Sequence, residues 1–227
     1  MFKSIMAINK NYNHYNGYQG YKLSPIFIQL TIVFDYTTEF CQTYIDIGYK
    51  NYKGYKSYKN YSRQADQLIQ AARSSKQCWA EGALEKSTES KLKMWGVSRA
   101  SLEELLQDYL DFLRQRRLPL WGKDDPRAVE VRKIAYKNYK SYNDYENYLK
   151  NPEEAANAMI CLINQTNQLI DQKYRWEEEK FVKEGGFREN LFKKRIEYRR
   201  KKFASLRGVP MPIGTTRQSK PGKEQNV

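Results

Sequence analysis

The densest run of reactive chemistry in this sequence is cationic. Lys193, Lys194, Arg195, Arg199, Arg200, Lys201 and Lys202 place seven cations in ten residues, offset by Glu197 alone. Such density costs helix stability through repulsion unless an anion neutralises it, and phosphate contacts of this kind supply affinity through counterion release. A second set comprises Arg73, Lys76, Arg99, Arg114, Arg116 and Arg117 and falls on two predicted helices. Gathered on one rigid surface these cations would make a phosphate-binding face; the competing reading is a solvated face with i,i+4 ion pairs. Glu104, Asp108 and Asp111 stand at four- and three-residue steps and so share a helical face. Carboxylates so placed could hold Mg²⁺ for a nuclease. No His, Lys or Ser constellation accompanies them, and a salt-bridged or solvated face is the preferred reading. No P-loop, nucleophile elbow or glycine-rich fingerprint is present. No catalytic residue, metal site or cofactor is therefore assigned.

The remaining reactive side chains point the same way. His14 is the one histidine, and Cys41, Cys78 and Cys161 show neither metal-ligand nor redox spacing. Each cysteine falls among apolar neighbours in a helical segment, which predicts small buried residues. Lys and Arg outnumber Asp and Glu by 40 to 26 across 227 residues, a formal charge of +14. That excess favours RNA, DNA or an acidic protein surface as partner. Met1–Ile8 is too short an apolar stretch for a signal peptide, and Gln29 and Thr31 interrupt the longest apolar segment, Pro25–Phe34. The expectation is a cytoplasmic protein with no membrane contact.

The elements that must position these groups are helical. Ser24-Pro25 reads as a cap and first helical residue of a helix to about Asp46, with Phe27, Leu30, Phe34, Thr37/Thr38, Cys41 and Ile45 along one side. Ser62 caps a second, carrying Ala65, Leu68/Ile69, Ala72, Lys76 and Trp79 and loosened or ended by Gly82. Ser87 starts a long third, with Leu92, Trp95, Leu102, Leu105/Leu106, Tyr109 and Phe112/Leu113. Its Gly96 suggests close approach of another helix. A short helix spans about Pro126–Ile134. Asn151-Pro152 opens a fourth bundle helix, with Ala155, Met159, Leu162/Ile163, Thr166, Leu169/Ile170 and Tyr174, which runs toward Gly185-Gly186. A basic helix from about Arg188 to Leu206 follows. Glu81 sits at the unfavourable end of its helix for a negative charge and predicts a cationic partner, Arg73 or Arg99.

Three tracts place tyrosine at every third position: Tyr12–Tyr21, Tyr49–Tyr61 and Tyr136–Tyr148. Period three matches neither the α-helix nor the strand, so the tracts predict loops or ragged helix ends that build no core face. Alternating Lys and Tyr would offer charge and stacking faces to single strands; the competing reading is a neutral repeat expansion.

The predicted fold is all-α: an antiparallel up-down-up-down four-helix bundle with a C-terminal helical extension. Its parts are a low-complexity segment over 1–23, the bundle over 24–174 with insertions at 49–61 and 136–148, a basic helical suffix over 175–207, and a disordered tail over 208–227.

The segment QAARSSKQCWAEGALEKSTESKLKMWGVSRASLEELLQDY, Gln70 to Tyr109, resembles the second and third helices of a bacterial four-helix bundle family. That family includes the 23S rRNA-intervening-sequence proteins and the accessory proteins of diversity-generating retroelements. The residues carrying the resemblance are Ala72, Ser75, Glu81-Gly82 and Ala100-Ser101-Leu102-Glu103-Glu104-Leu105. NAMICLINQTNQLIDQ and FVKEGGFREN are similar to the variant with a C-terminal suffix. The resemblance implies a structural role for Glu81, Gly82, Ser101, Glu103 and Glu104. It also implies a basic homo-oligomer, in one branch a pentameric ring that binds a reverse transcriptase and nucleic acid.

The functional expectation is a non-catalytic protein binding RNA or DNA without sequence preference. The alternative is a homo-oligomeric scaffold docking an acidic protein. Self-association is expected through Ala65, Ala71, Ala72, Ser74, Ser75, Gly96, Ala100 and Ser101, whose small side chains let helices approach closely. One of Trp79 and Trp95 is expected to be left over for a neighbouring copy.

Overall fold

A computed structural model describes residues 20–45, 63–137 and 140–207. The segment before residue 20, the Tyr49–Tyr61 tract with Ser62, Tyr139 and the tail from residue 208 lie outside the described residues. The chain divides into two units, one through Gly186 and the other from Phe187 onward. The boundary expected near residue 175 falls inside a continuous helix.

The described residues are helical and contain no strand. After a 3-10 turn at Gly20–Leu23, α1 spans Pro25–Phe40 and continues as a π-turn, Cys41–Ile45. Then come α2, Arg63–Leu84; α3, Thr88–Gln115; and α4, Pro126–Ile134. The short α5, Asn143–Glu146, leads into a 3-10 turn, Asn147–Lys150, and α6 spans Pro152–Glu184. In the second unit α7 spans Phe187–Arg207.

Helix starts follow the local chemistry. Ser24, Ser87, Asp125 and Asn151 each accept a bond from a first-turn backbone N–H, and proline follows all but Ser87. α3 ends with Arg117 in the left-handed region (φ 56), so that the Leu118 N–H reaches the Leu113 carbonyl at 2.9 Å. Gly185, at φ 79, lets its N–H close on the Phe181 carbonyl and ends α6.

In the first unit α2 packs against α1 and α3, and α6 packs against α1, α3 and α4. Leu30, Val33, Phe40, Leu68, Leu102, Leu105, Tyr109, Phe112, Met159, Leu162 and Ile163 fill the interior. Phe40 meets Tyr109 and Phe112 edge-on, both at 4.8 Å between ring centres. Two buried polar pairs are satisfied across helices: Thr37 with Tyr109 at 3.0 Å, and Thr166 donating to Gln29 at 3.1 Å.

The expected stripes on α2, α3 and α6 lie against the core. That on α1 is rotated: Ile26, Gln29, Leu30, Val33, Tyr36, Thr37 and Phe40 are buried, whereas Phe27 and Phe34 are only half-buried. α1 is apolar on nearly every side and packs on both α2 and α6, so its periodicity leaves the buried arc undetermined. Cys41 is buried as expected, while Cys78 and Cys161 are half-buried.

The third tyrosine tract departs from expectation. Tyr145 is fully buried in the core, and Tyr142 and Tyr148 pack against it. The Tyr142 hydroxyl bonds Glu39, while Tyr136 at the start of the tract is exposed. Tyr145 lies in α5 and Tyr148 in the 3-10 turn that follows it. At about 100° per residue, positions three apart differ by only about 60° around a helix, so over so short a tract a period-three pattern still makes a face. The Tyr145 hydroxyl, although buried, has no hydrogen-bond partner among the described residues. Tyr145→Phe removes a desolvated donor without changing shape and should stabilise the protein by about 1 kcal/mol. Urea unfolding at neutral pH should show a higher midpoint at unchanged slope; a lower midpoint would refute it.

Candidate nucleic-acid interface

The cations of α2 and α3 are not gathered onto one face. Lys76 lies 4.1 Å above the Phe34 ring of α1. Arg99 ties α3 to α6, with its Nε 3.2 Å from Asp171 and its Nη1 2.9 Å from Glu103. Hydrogen bonding from Arg99, and then from Gln107, holds the Glu103 carboxyl below its usual range. Arg114 pairs with Asp111 at 3.0 Å. Arg116 covers the Phe112 ring at 3.9 Å and donates to the Tyr44 carbonyl. Arg117 occupies the α3 terminus, and Arg73 is exposed on α2. Helix geometry spreads these six groups over surfaces toward α1, toward α6 and at one end of α3.

The expected structural motif is partly assembled. Ser101 bonds Ser74 at 3.0 Å and Ser75 bonds Ser98 at 3.2 Å, so these serines stitch α2 to α3. Gly82 lies inside α2 rather than ending it, pressed against Trp95: a Cβ there would sit 2.6 Å from the indole Cδ1. Glu81 is exposed, and Arg99, one of its two expected partners, is committed to Glu103 and Asp171. Among the described residues no ion pair joins Glu81 to Arg73 either. Gly96 was expected to mark a close approach, but among the described residues nothing beyond its own stretch of α3 lies within 4 Å of a Cβ placed there. Trp79 and Trp95 are both buried and stack at 4.4 Å, so neither is left over for a second copy.

Glu104 and Asp108 line an open groove with Gln67, Gln70, Ala71 and Ser74. Burial, and then the neighbouring Asp111 and Glu104 charges, pushes the Asp108 carboxyl up. Asp111 is engaged by Arg114. Among the described residues no three acidic, His or Cys side chains converge as metal ligands do.

One cluster escaped the sequence reading. Glu177 on α6 is buried, 2.7 Å from Lys91 of α3 and 3.8 Å from Lys173. Lys173 also lies 3.7 Å over the Trp176 ring, and burial draws its ammonium pKa down. The Lys173–Glu177 spacing was visible as an i,i+4 pair. Lys91 was not, because it comes from another helix.

The second unit carries the densest free charge. Lys193, Lys194, Arg195, Arg199, Arg200, Lys201 and Lys202 are all exposed on α7. Among the described residues the ion pair formed by this run is Lys201 with Glu197, at 2.9 Å. Phe187, Leu191, Phe192, Tyr198 and Phe203 are exposed on the same helix. Among the described residues no helix is long and apolar enough to cross a membrane. No family model, curated protein or solved structure matches the chain.

Proposed function

We propose that this is a non-catalytic basic helical protein that binds nucleic acid, RNA or DNA, without sequence preference. The observation that carries this reading is the exposed cationic run of α7, where six of the seven cations have no carboxylate partner among the described residues. Phosphates supply the missing counter-charge, and the absence of any base-reading motif leaves sequence unread. The first unit serves as a scaffold. Its four long helices, α1, α2, α3 and α6, are read as an antiparallel up-down-up-down bundle, supported by their cyclic order of contacts. Self-association, and service as an accessory to a reverse transcriptase or RNA element, belong to the same proposal and rest on the family resemblance.

Anisotropy titration of a labelled oligonucleotide against increasing salt tests it. Four or more phosphate contacts predict a log–log slope of about −3 or steeper. Absence of binding to RNA and DNA at low salt would refute it. A second reading, docking of an acidic protein, draws support from the exposed phenylalanines of α7 and predicts that absence.

A further inference from the structure

Resting on that reading, we infer that α7 selects single-stranded over duplex nucleic acid, laying the phosphates along one row of cations and the bases on aromatic side chains at either side of it. At about 100° per residue, Arg188, Arg195, Arg199 and Lys202 fall within about 60° of one another around the helix. They make a row about 21 Å long, from the rise of about 1.5 Å per residue. Neither Glu189 nor Glu197 projects into this row on the same geometry. The Glu197–Lys201 pair belongs to the opposite side.

The flanks are apolar on both sides. Phe187, Leu191 and Tyr198 border the row on one side, and Phe192, Ile196 and Phe203 on the other. Their exposure is large, 44% for Phe187 and more than 60% for Phe192, Tyr198 and Phe203. A helix lying on a lipid surface carries one apolar face opposite one charged face; here the apolar rows lie on opposite sides with cations between them. A duplex keeps its base faces stacked inside and offers such aromatics nothing to meet. A single strand offers phosphates and free base faces together, and base–aromatic stacking tolerates any sequence.

The full chain, titrated by anisotropy at one salt concentration, decides the matter with four probes. These are a thymidine homopolymer, the same length of abasic strand, a mixed-sequence duplex, and vesicles containing phosphatidylserine. The homopolymer should bind at least about tenfold tighter than the abasic strand, since two or more stacked bases each contribute about fivefold or more. Phe192→Ala/Tyr198→Ala should weaken homopolymer binding about 30-fold and change duplex binding less than about twofold. Equal affinity for homopolymer, abasic strand and duplex would overturn the inference and leave nucleic-acid binding standing. Binding to the vesicles in preference to the homopolymer would overturn it in favour of a lipid surface. Binding to none of the nucleic acids at low salt would overturn both this inference and the function it rests on. The abasic comparison uses the unaltered protein, so it decides even if the double variant folds poorly.

Discussion

Raising the pH above about 10 is expected to unfold the first unit, and steeply. Tyr36, Tyr109 and Tyr145 are fully buried, and burial above all raises each hydroxyl pKa above its ordinary 10.0. The unfolded chain therefore releases these protons first. The stability the three groups hold is intact below pH 10 and is lost as the pH climbs toward their folded values. Each proton contributes a slope of about 1.4 kcal/mol per pH unit, so three give about 4 kcal/mol per unit. A domain of ordinary stability, about 5–15 kcal/mol, is exhausted within a few units. Tyr44, Tyr142 and Tyr148 are shifted upward too and act in the same direction. Lys140 and Lys173 act oppositely: burial lowers both, so their contribution rises with pH until the ordinary lysine value of 10.5 and then stops. Two saturating groups lose to three or more that continue. Helical circular dichroism should hold steady to about pH 10 and collapse by about pH 12. A helix signal unchanged across that range would show that these hydroxyls are not buried as described.

The second large effect centres on Trp95. Trp95→Ala deletes a buried indole stacked on Trp79, together with the bond from its Nε1 to the Trp79 carbonyl at 3.3 Å. The cavity and lost contacts should cost about 3–5 kcal/mol. Gly82→Ala should cost about 1–3 kcal/mol by the opposite route, because its methyl would strike the same indole. The two must therefore be coupled. In the Trp95→Ala background the clash with the indole is gone, while the Lys91 carbonyl oxygen, 3.1 Å from the same Cβ position, still crowds the methyl. The cost of Gly82→Ala should fall well below its value in the unaltered protein. Denaturant unfolding of the four proteins in the cycle measures this. Additive costs would mean that Gly82 is required for some reason other than room for Trp95.

Much of the helical architecture was legible. Ser24-Pro25, Ser87, Asn151-Pro152 and Gly185-Gly186 mark starts and stops through local backbone chemistry that needs no partner helix. The stripes on α2, α3 and α6 were readable because polar residues occupy their other sides. On α1 that contrast is missing, and the buried arc turned away from the expected one. The α7 run was legible as a charge pattern. Its role in nucleic-acid binding is a proposal. The α2 and α3 cations looked equivalent in sequence, yet Arg99 is spent on Asp171 and Glu103 while Arg73 stays exposed.

The sequence by itself determined the helical class, most helix boundaries and the excess positive charge, because capping, periodicity and composition act over a few residues or none. Only the tertiary structure decided which side chains are committed. It buried Tyr145 from a tract that looked like filler, set Trp79 on Trp95 instead of leaving one exposed, and brought Lys91 to Glu177 from 86 residues away. The small residues Ser74, Ser75 and Ser101 went to the α2–α3 contact for the same reason. Burial and pairing depend on distances between helices, and those distances follow from how whole faces pack rather than from any local pattern.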